Sequence, residues 1–203
     1  MYVLGASTQK NLDSALIKGH QAFSKNDAAL AVKAFQKAES LFCTSLRFYR
    51  KLSGSASTKA SEDEVRQLLV SACLMKAYSD FLKLHPSPEV LLIAAEASKQ
   101  LRGDDTNALC KNVSTAQEVN LLVQQIDQKK FRAVMQGLLE AEKRALPTDR
   151  DFFLAEIRLL AACGNGLKSP EVLTQAREIL WYLNYEIGVE GEQIDALWEI
   201  VSQ

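Results

Sequence analysis

Between Ala31 and Tyr49, apolar and small side chains return at steps of three or four residues: Ala31, Phe35, Ala38, Phe42, Leu46 and Tyr49. That spacing lines them up along one stripe of a 3.6-residue helix, and Lys33, Lys37, Thr44 and Arg47 fall outside the stripe. Little elsewhere interrupts such patterns, because the 203 residues include only 9 glycines and 4 prolines. A β-sandwich needs a turn every few residues, so the expected fold is all-α, built from stacked antiparallel helical hairpins. With 47% apolar and 24% charged residues, the chain has the balance of a globular protein and is long enough to bury a core without cross-links.

Reading onward, a first helix is expected over Leu12 to Ser24 and a second from beyond Asn26-Asp27 toward Leu52. The small polar run SGSASTKASED reads as a mobile loop over about 53–61. Ser61 and Glu64 have the spacing of a capping box, which opens a third helix with Val65, Leu68, Ala72, Met75 and Leu82 on one face. That helix should stop before His85-Pro86. Further helices are expected over Thr115 to Ile126, Lys129 to Ala145, Asp149 to Cys163, Pro170 to Glu186 and Glu190 to Ser202, making eight or nine in all. Breaks fall at 102–105, at Pro147, at Gly164-Asn165-Gly166 and at Gly188, the glycine pair being read as a helix C-cap and turn.

The pentapeptide SPEVL occurs at residues 87–91 and again at 169–173. Serine suits an N-cap, proline tolerates the first helical position and glutamate complements the helix dipole. Both copies therefore read as helix starts, and their recurrence hints at repeated hairpins.

Four widely spaced cysteines, Cys43, Cys73, Cys110 and Cys163, form no C-x-x-C pair and read as buried, reduced thiols. A reducing, intracellular and cytoplasmic setting is the expectation. The N-terminal apolar run is too short for a signal-peptide core, and no stretch reaches the ~20 apolar residues of a spanning helix, so no membrane partner is expected. Net charge is −1, shared as +5 over residues 1–102 (14 basic, 9 acidic) and −6 over 103–203 (10 basic, 16 acidic). A near-neutral total disfavours nucleic acid, whereas the asymmetry reads as scattered solvated faces, or as suited to head-to-tail association or a basic-surfaced partner.

The segment KGHQAFSKNDAALAVKAFQKAESLF, from Lys18, resembles a tetratricopeptide repeat. Gly19 stands at that family's helix-A glycine, Ala31 and Ala38 at its small positions and Phe35 at its aromatic one. Ala15, Lys18 and Cys43 depart from the large aromatic, the leucine and the closing proline of the pattern. A fainter echo runs through Phe131, Val134, Leu138 and Ala141, with Pro147 behind them and without the helix-A glycine. The resemblance implies a degenerate helical-repeat domain over the whole chain. In some relatives a clamp of lysine and asparagine grips an acidic peptide tail. Leu16 and His20 stand at those positions here, so that specificity is not implied.

Candidate chemistry is sparse. His20 and His85 are the only histidines and belong to no metal-binding pattern, no phosphate-binding glycine loop is present, and the carboxylates of Glu140/Glu142 and Glu190/Glu192 point to different helix faces. No cofactor and no catalytic residue is assigned. Lys129, Lys130 and Arg132 read as a solvated helix start. Leu16, His20 and Phe23 could line a groove for an apolar or helical peptide, or could pack against a neighbouring helix. Trp181, Tyr182, Tyr185 and Trp198 gather in an otherwise acidic segment and fit either an interface or a terminal cap.

The expected role is a non-catalytic adaptor or scaffold that presents a helical groove to a protein or peptide partner. The alternatives are a dedicated chaperone such as a secretion chaperone, a helical enzyme without a recognisable motif, and a structural piece of a larger solenoid. Oligomeric state stays open.

Overall fold

The computed structural model describes residues 2–42, 62–101, 106–145 and 149–202, and the side chains of 2–7 and of residue 106 are not among those described. The reading of 53–61 as a loop, the Ser61 half of the capping box, the expected helix end at Leu52 and Cys43 lie outside these residues. Among the described residues every regular element is helical: α1 (Tyr2–Ser24), α2 (Ala28–Leu41), α3 (Glu62–Phe81), α4 (Pro88–Ser98), α5 (Thr106–Asp127), α6 (Phe131–Glu142), α7 (Arg150–Leu167), α8 (Pro170–Trp181), a π-helical turn (Tyr182–Glu186) and α9 (Glu192–Ser202).

The elements fall into two compact units, Met1–Lys76 with Glu89–Val113, and Ala77–Pro88 with Ser114–Gln203. In the first, α1 packs along α2. Ala31, Phe35, Ala38 and Phe42 are all buried, as their spacing requires. Burying a phenylalanine contributes about 1.5–3 kcal/mol, so Phe35 and Phe42 carry much of this seam. Gly19 makes the approach possible, since a methyl there would meet the Phe35 ring. Arg66 of α3 is buried but compensated, its guanidinium meeting Glu39 of α2 at 3.4 Å, Asp63 at 3.6 Å and Glu62. Leaving those carboxylates without the cation would cost more than the exposed pairs of the surface.

In the second unit α6 packs on α7, α7 on α8, and α9 on both α7 and α8. Its core is dominated by α7, where Phe152, Leu154, Ile157, Leu159 and Leu160 are buried. The stretch after α3 is tied down by two polar contacts: Ser87 N donates to Asn120 Oδ1 at 2.7 Å, and Arg158 Nε donates to the Leu82 carbonyl at 3.0 Å.

One backbone device recurs at the ends of α1, α3, α5 and α7. Asn26, Leu84, Lys129 and Lys168 adopt φ between 52° and 58°, the left-handed region. Each donates its N–H to the carbonyl three residues back, and the next residue donates to the carbonyl five back: Asp27 to Ala22, His85 to Asp80, Lys130 to Gln125 and Ser169 to Gly164, at 2.9–3.0 Å. This is the Schellman arrangement, which satisfies orphan helix carbonyls and reverses the chain, here without glycine at the left-handed position. The following helix starts within four residues each time. Asp27 closes one end further by accepting from Leu30 N at 3.1 Å.

Several expected boundaries need correction. The first helix starts at Tyr2, well before Leu12, and the fifth at Thr106 rather than Thr115. Leu82 lies beyond the helix it was assigned to. Gly164 and Gly166 are not a C-cap and turn: α7 runs through both to Leu167, and Lys168 is the left-handed terminator. Gly164 is small because a Cβ would sit 2.7 Å from Leu173 Cγ, and at Gly166 it would strike the Phe131 ring. The helix from Pro170 leaves α geometry at Trp181. Cys73 and Cys163 are free, buried thiols, whereas Cys110 is free and exposed, against the expectation of burial for all four.

Both SPEVL copies do begin helices at their prolines. Their serines serve differently. Ser169 Oγ donates to Glu171 at 2.7 Å, and Ser87 Oγ donates to Asp80 at 2.9 Å.

Candidate functional site

The two groups of residues singled out by sequence meet different environments. Leu16 of α1 is half-buried against Leu12, Ala15, Ala38, Phe42 and Val65. His20 stands one turn on, its ring edge-on to Phe35 with centroids 5.6 Å apart, and Phe23 is partly exposed. The first two are engaged by the α1–α2 seam, and these three residues line neither of the cavities described below.

The C-terminal aromatics are built differently. Ser169 and Pro170 start α8, which buries Val172, Ala176 and Leu180 on one face. After Trp181 the chain widens into a π turn, with Ile187 N bonded to the Tyr182 carbonyl at 3.1 Å, and such one-turn widenings occur frequently at functional sites. Leu183 is turned inward. Trp181, Tyr182, Tyr185 and Ile187 remain 49%, 54%, 67% and 56% exposed. Trp181 and Tyr185 lie with ring centroids 5.7 Å apart.

The turn is held from behind by Asn184, whose Nδ2 donates to the Val189 carbonyl at 3.0 Å and whose Oδ1 accepts from Trp198 Nε1 at 3.4 Å. Gly188, at φ +75°, then reverses the chain where a side chain would be strained. Trp198 is thus fixed by α9 and by Asn184, while Trp181 stays open.

Two cavities flank this turn. The larger, of about 540 Å³, is lined by Tyr182, Leu183, Ile187 and Val189 on one side and by Phe153, Ile179 and the charged Glu142, Arg150 and Glu178 on the others. A smaller one of about 270 Å³ lies between Trp181 and Trp198, with Thr174, Arg177 and Glu178. Glu178 borders both. The structure therefore brings Trp181 and Trp198 to one cavity and Tyr182 to the other, with Tyr185 beside Trp181. Sequence reasoning did not find Glu142, Arg150, Phe153 or Glu178, which come from three different helices and share no local pattern.

Titratable groups in the interior of this unit are strongly displaced. Burial, aided by the nearby Glu142 charge, pushes the Glu156 carboxyl up to about 8, and its Oε2 has no hydrogen-bond partner. Burial raises Asp149, although its Oδ1 caps α7 by accepting from Phe152 N at 3.1 Å. The Tyr78 hydroxyl is buried without a partner and its acidity is suppressed by burial, with Asp149 and Asp151 adding to the effect. Glu156, Asp149 and Tyr78 line neither cavity. Burial also raises the Cys163 thiol to about 12, so it is inert at neutral pH.

Among the described residues no cluster of three or more metal-ligating side chains occurs, and no helix is long and apolar enough to cross a membrane. No family model matches the chain, and neither does any curated protein or solved structure.

Proposed function

We propose that this chain is a non-catalytic partner-binding module, an adaptor or scaffold, and that the segment from Trp181 to Trp198 is its docking face. The observation that carries this reading is the exposure of Trp181, Tyr182, Tyr185 and Ile187 beside an apolar-walled cleft. Aromatic side chains with a polar tip supply most of the energy where proteins meet, because they bury large area at little conformational cost. Backed by Asn184 and Trp198, the turn would present them with little ordering on the protein's side.

The finer architecture belongs to the same proposal. We read the hairpins as degenerate tetratricopeptide-like repeats, supported by Gly19 against Phe35 and by the four identical helix ends. The faint echo in α6 is supported by the burial of Val134, Leu138 and Ala141.

The test is affinity capture followed by mass spectrometry with the wild-type chain and the double variant Trp181→Ala/Tyr185→Ala. Far-UV circular dichroism checks that both remain helical. A partner retained by the wild type should be lost by the double variant. Undiminished capture would overturn the reading, and a turnover abolished by Glu156→Gln would replace it with an enzymatic one.

A further inference from the structure

The acidic excess of the second half of the chain is concentrated in its last 35 residues. Residues 103–168 hold nine basic and nine acidic side chains, a net of zero, whereas residues 169–203 hold one basic and seven acidic, a net of −6. All seven carboxylates, from Glu171, Glu178, Glu186, Glu190, Glu192, Asp195 and Glu199, belong to exposed residues. The single cation, Arg177, is half-buried and engaged, its Nε donating to the Val201 carbonyl at 2.7 Å near the end of α9. The segment that carries the exposed aromatics therefore has seven exposed carboxylates and no exposed cation of its own.

The larger cavity joins an apolar wall to a charged lining in which carboxylates outnumber cations two to one. Tyr182, Leu183, Ile179, Ile187, Val189 and Phe153 supply the wall, and Glu142 and Glu178 stand at it unpaired by any ion pair among the described residues. Arg150 also borders the cavity as an exposed cation, so two carboxylates face one guanidinium there. Among the described residues no sheet edge exists to accept an added strand, so an incoming segment has side-chain contacts and not backbone ladders to gain.

We propose, resting on the docking-face reading above, that the occupant of this surface is a basic amphipathic helix of a partner protein, its apolar side chains in the 540 Å³ cavity and its lysines or arginines against Glu142, Glu178 and the neighbouring carboxylates. Opposite charge steers the encounter and fixes orientation, the apolar cavity supplies the burial, and Trp181 and Tyr185 offer ring faces to cationic heads.

Both tryptophans of the chain line the smaller cavity, which shares Glu178 with the larger one, so intrinsic fluorescence reports from directly beside the proposed site. The probe is a synthetic 16-residue peptide of leucine and lysine with leucines at helical spacing. It is compared with a glutamate counterpart carrying the same leucines and with a scrambled peptide of the same composition. The lysine peptide should give a saturable change, bind about tenfold or more tighter than either control, and weaken as salt rises. Glu178→Lys should cost it about tenfold and Glu178→Gln less, while Glu96→Lys, an equal charge change outside this segment, should leave it within about twofold.

Equal binding of the lysine and glutamate peptides, or of the ordered and scrambled ones, overturns the basic-helix proposal. If the aromatic double variant still loses its captured partner, the docking face survives that outcome. Self-association seen by light scattering and abolished by Glu178→Lys would identify the occupant as a second copy, which also overturns the proposal.

Discussion

The α1–α2 hairpin and the α8–α9 region both concentrate aromatic and apolar residues at helical spacing, yet they use them in opposite ways. In the hairpin Phe35 and Phe42 are fully enclosed, Gly19 has given up its side chain to admit Phe35, and Leu16 packs on the same seam. In the C-terminal region the π turn keeps Trp181, Tyr182 and Tyr185 largely in solvent while Leu183 alone goes inward. Composition does not separate these cases. What separates them is whether a second helix arrives with small residues, as Ala31 and Ala38 do, or leaves a cleft.

The contrast is tested most severely by truncation. Phe35→Ala should lower unfolding free energy by about 3–5 kcal/mol, whereas Tyr185→Ala should stay within about 0.5 kcal/mol, both read by denaturant titration. Comparable losses would erase the distinction.

A further difference appears with pH, because the second unit encloses Glu156. Its folded form holds the proton up to about 8 against an ordinary glutamate value of 4.5, so folding takes up a proton between those limits. The stabilisation is complete below 4.5 and is lost as pH rises through about 8. The span is on the order of 5 kcal/mol. Thermal melts across this window should slope downward for the wild type, keep that slope in Phe35→Ala, and flatten in Glu156→Gln.

Gly19→Ala should cost about 1–3 kcal/mol by overpacking, because the Phe35 ring that a methyl there would meet is fully buried. Gly166→Ala should cost less, since the Phe131 ring it would strike is only half-buried and can swing aside. A smaller expected effect is a gain: Lys129→Gly and Lys168→Gly should each raise the unfolding free energy by about 0.5–1 kcal/mol, read by denaturant titration, by relieving a left-handed backbone that lysine adopts at a cost.

The helix starts at Pro88 and Pro170 were legible in the sequence because a serine–proline–glutamate run acts on its own next turn, whereas the starts at Tyr2 and Thr106 have no such run and were missed. The device that ends four of the helices was not legible either. Asn26, Leu84, Lys129 and Lys168 do the work usually given to glycine, and nothing local in a lysine or leucine announces it. The glycines that did stand out, Gly164 and Gly166, are required by Leu173 and Phe131, partners that only the folded chain supplies. The same reason governs the site. Its tryptophans and tyrosines cluster visibly in the sequence, but Phe153, Glu142 and Arg150 join them through packing across α6, α7 and α8.

The four reversals close within windows of six residues, from Ala22 to Asp27, Asp80 to His85, Gln125 to Lys130 and Gly164 to Ser169. Bringing such near neighbours together costs little loop entropy, so each bend has a geometric preference as soon as its own window of chain exists. During synthesis, a corner can therefore be set before the helix that follows it has been made.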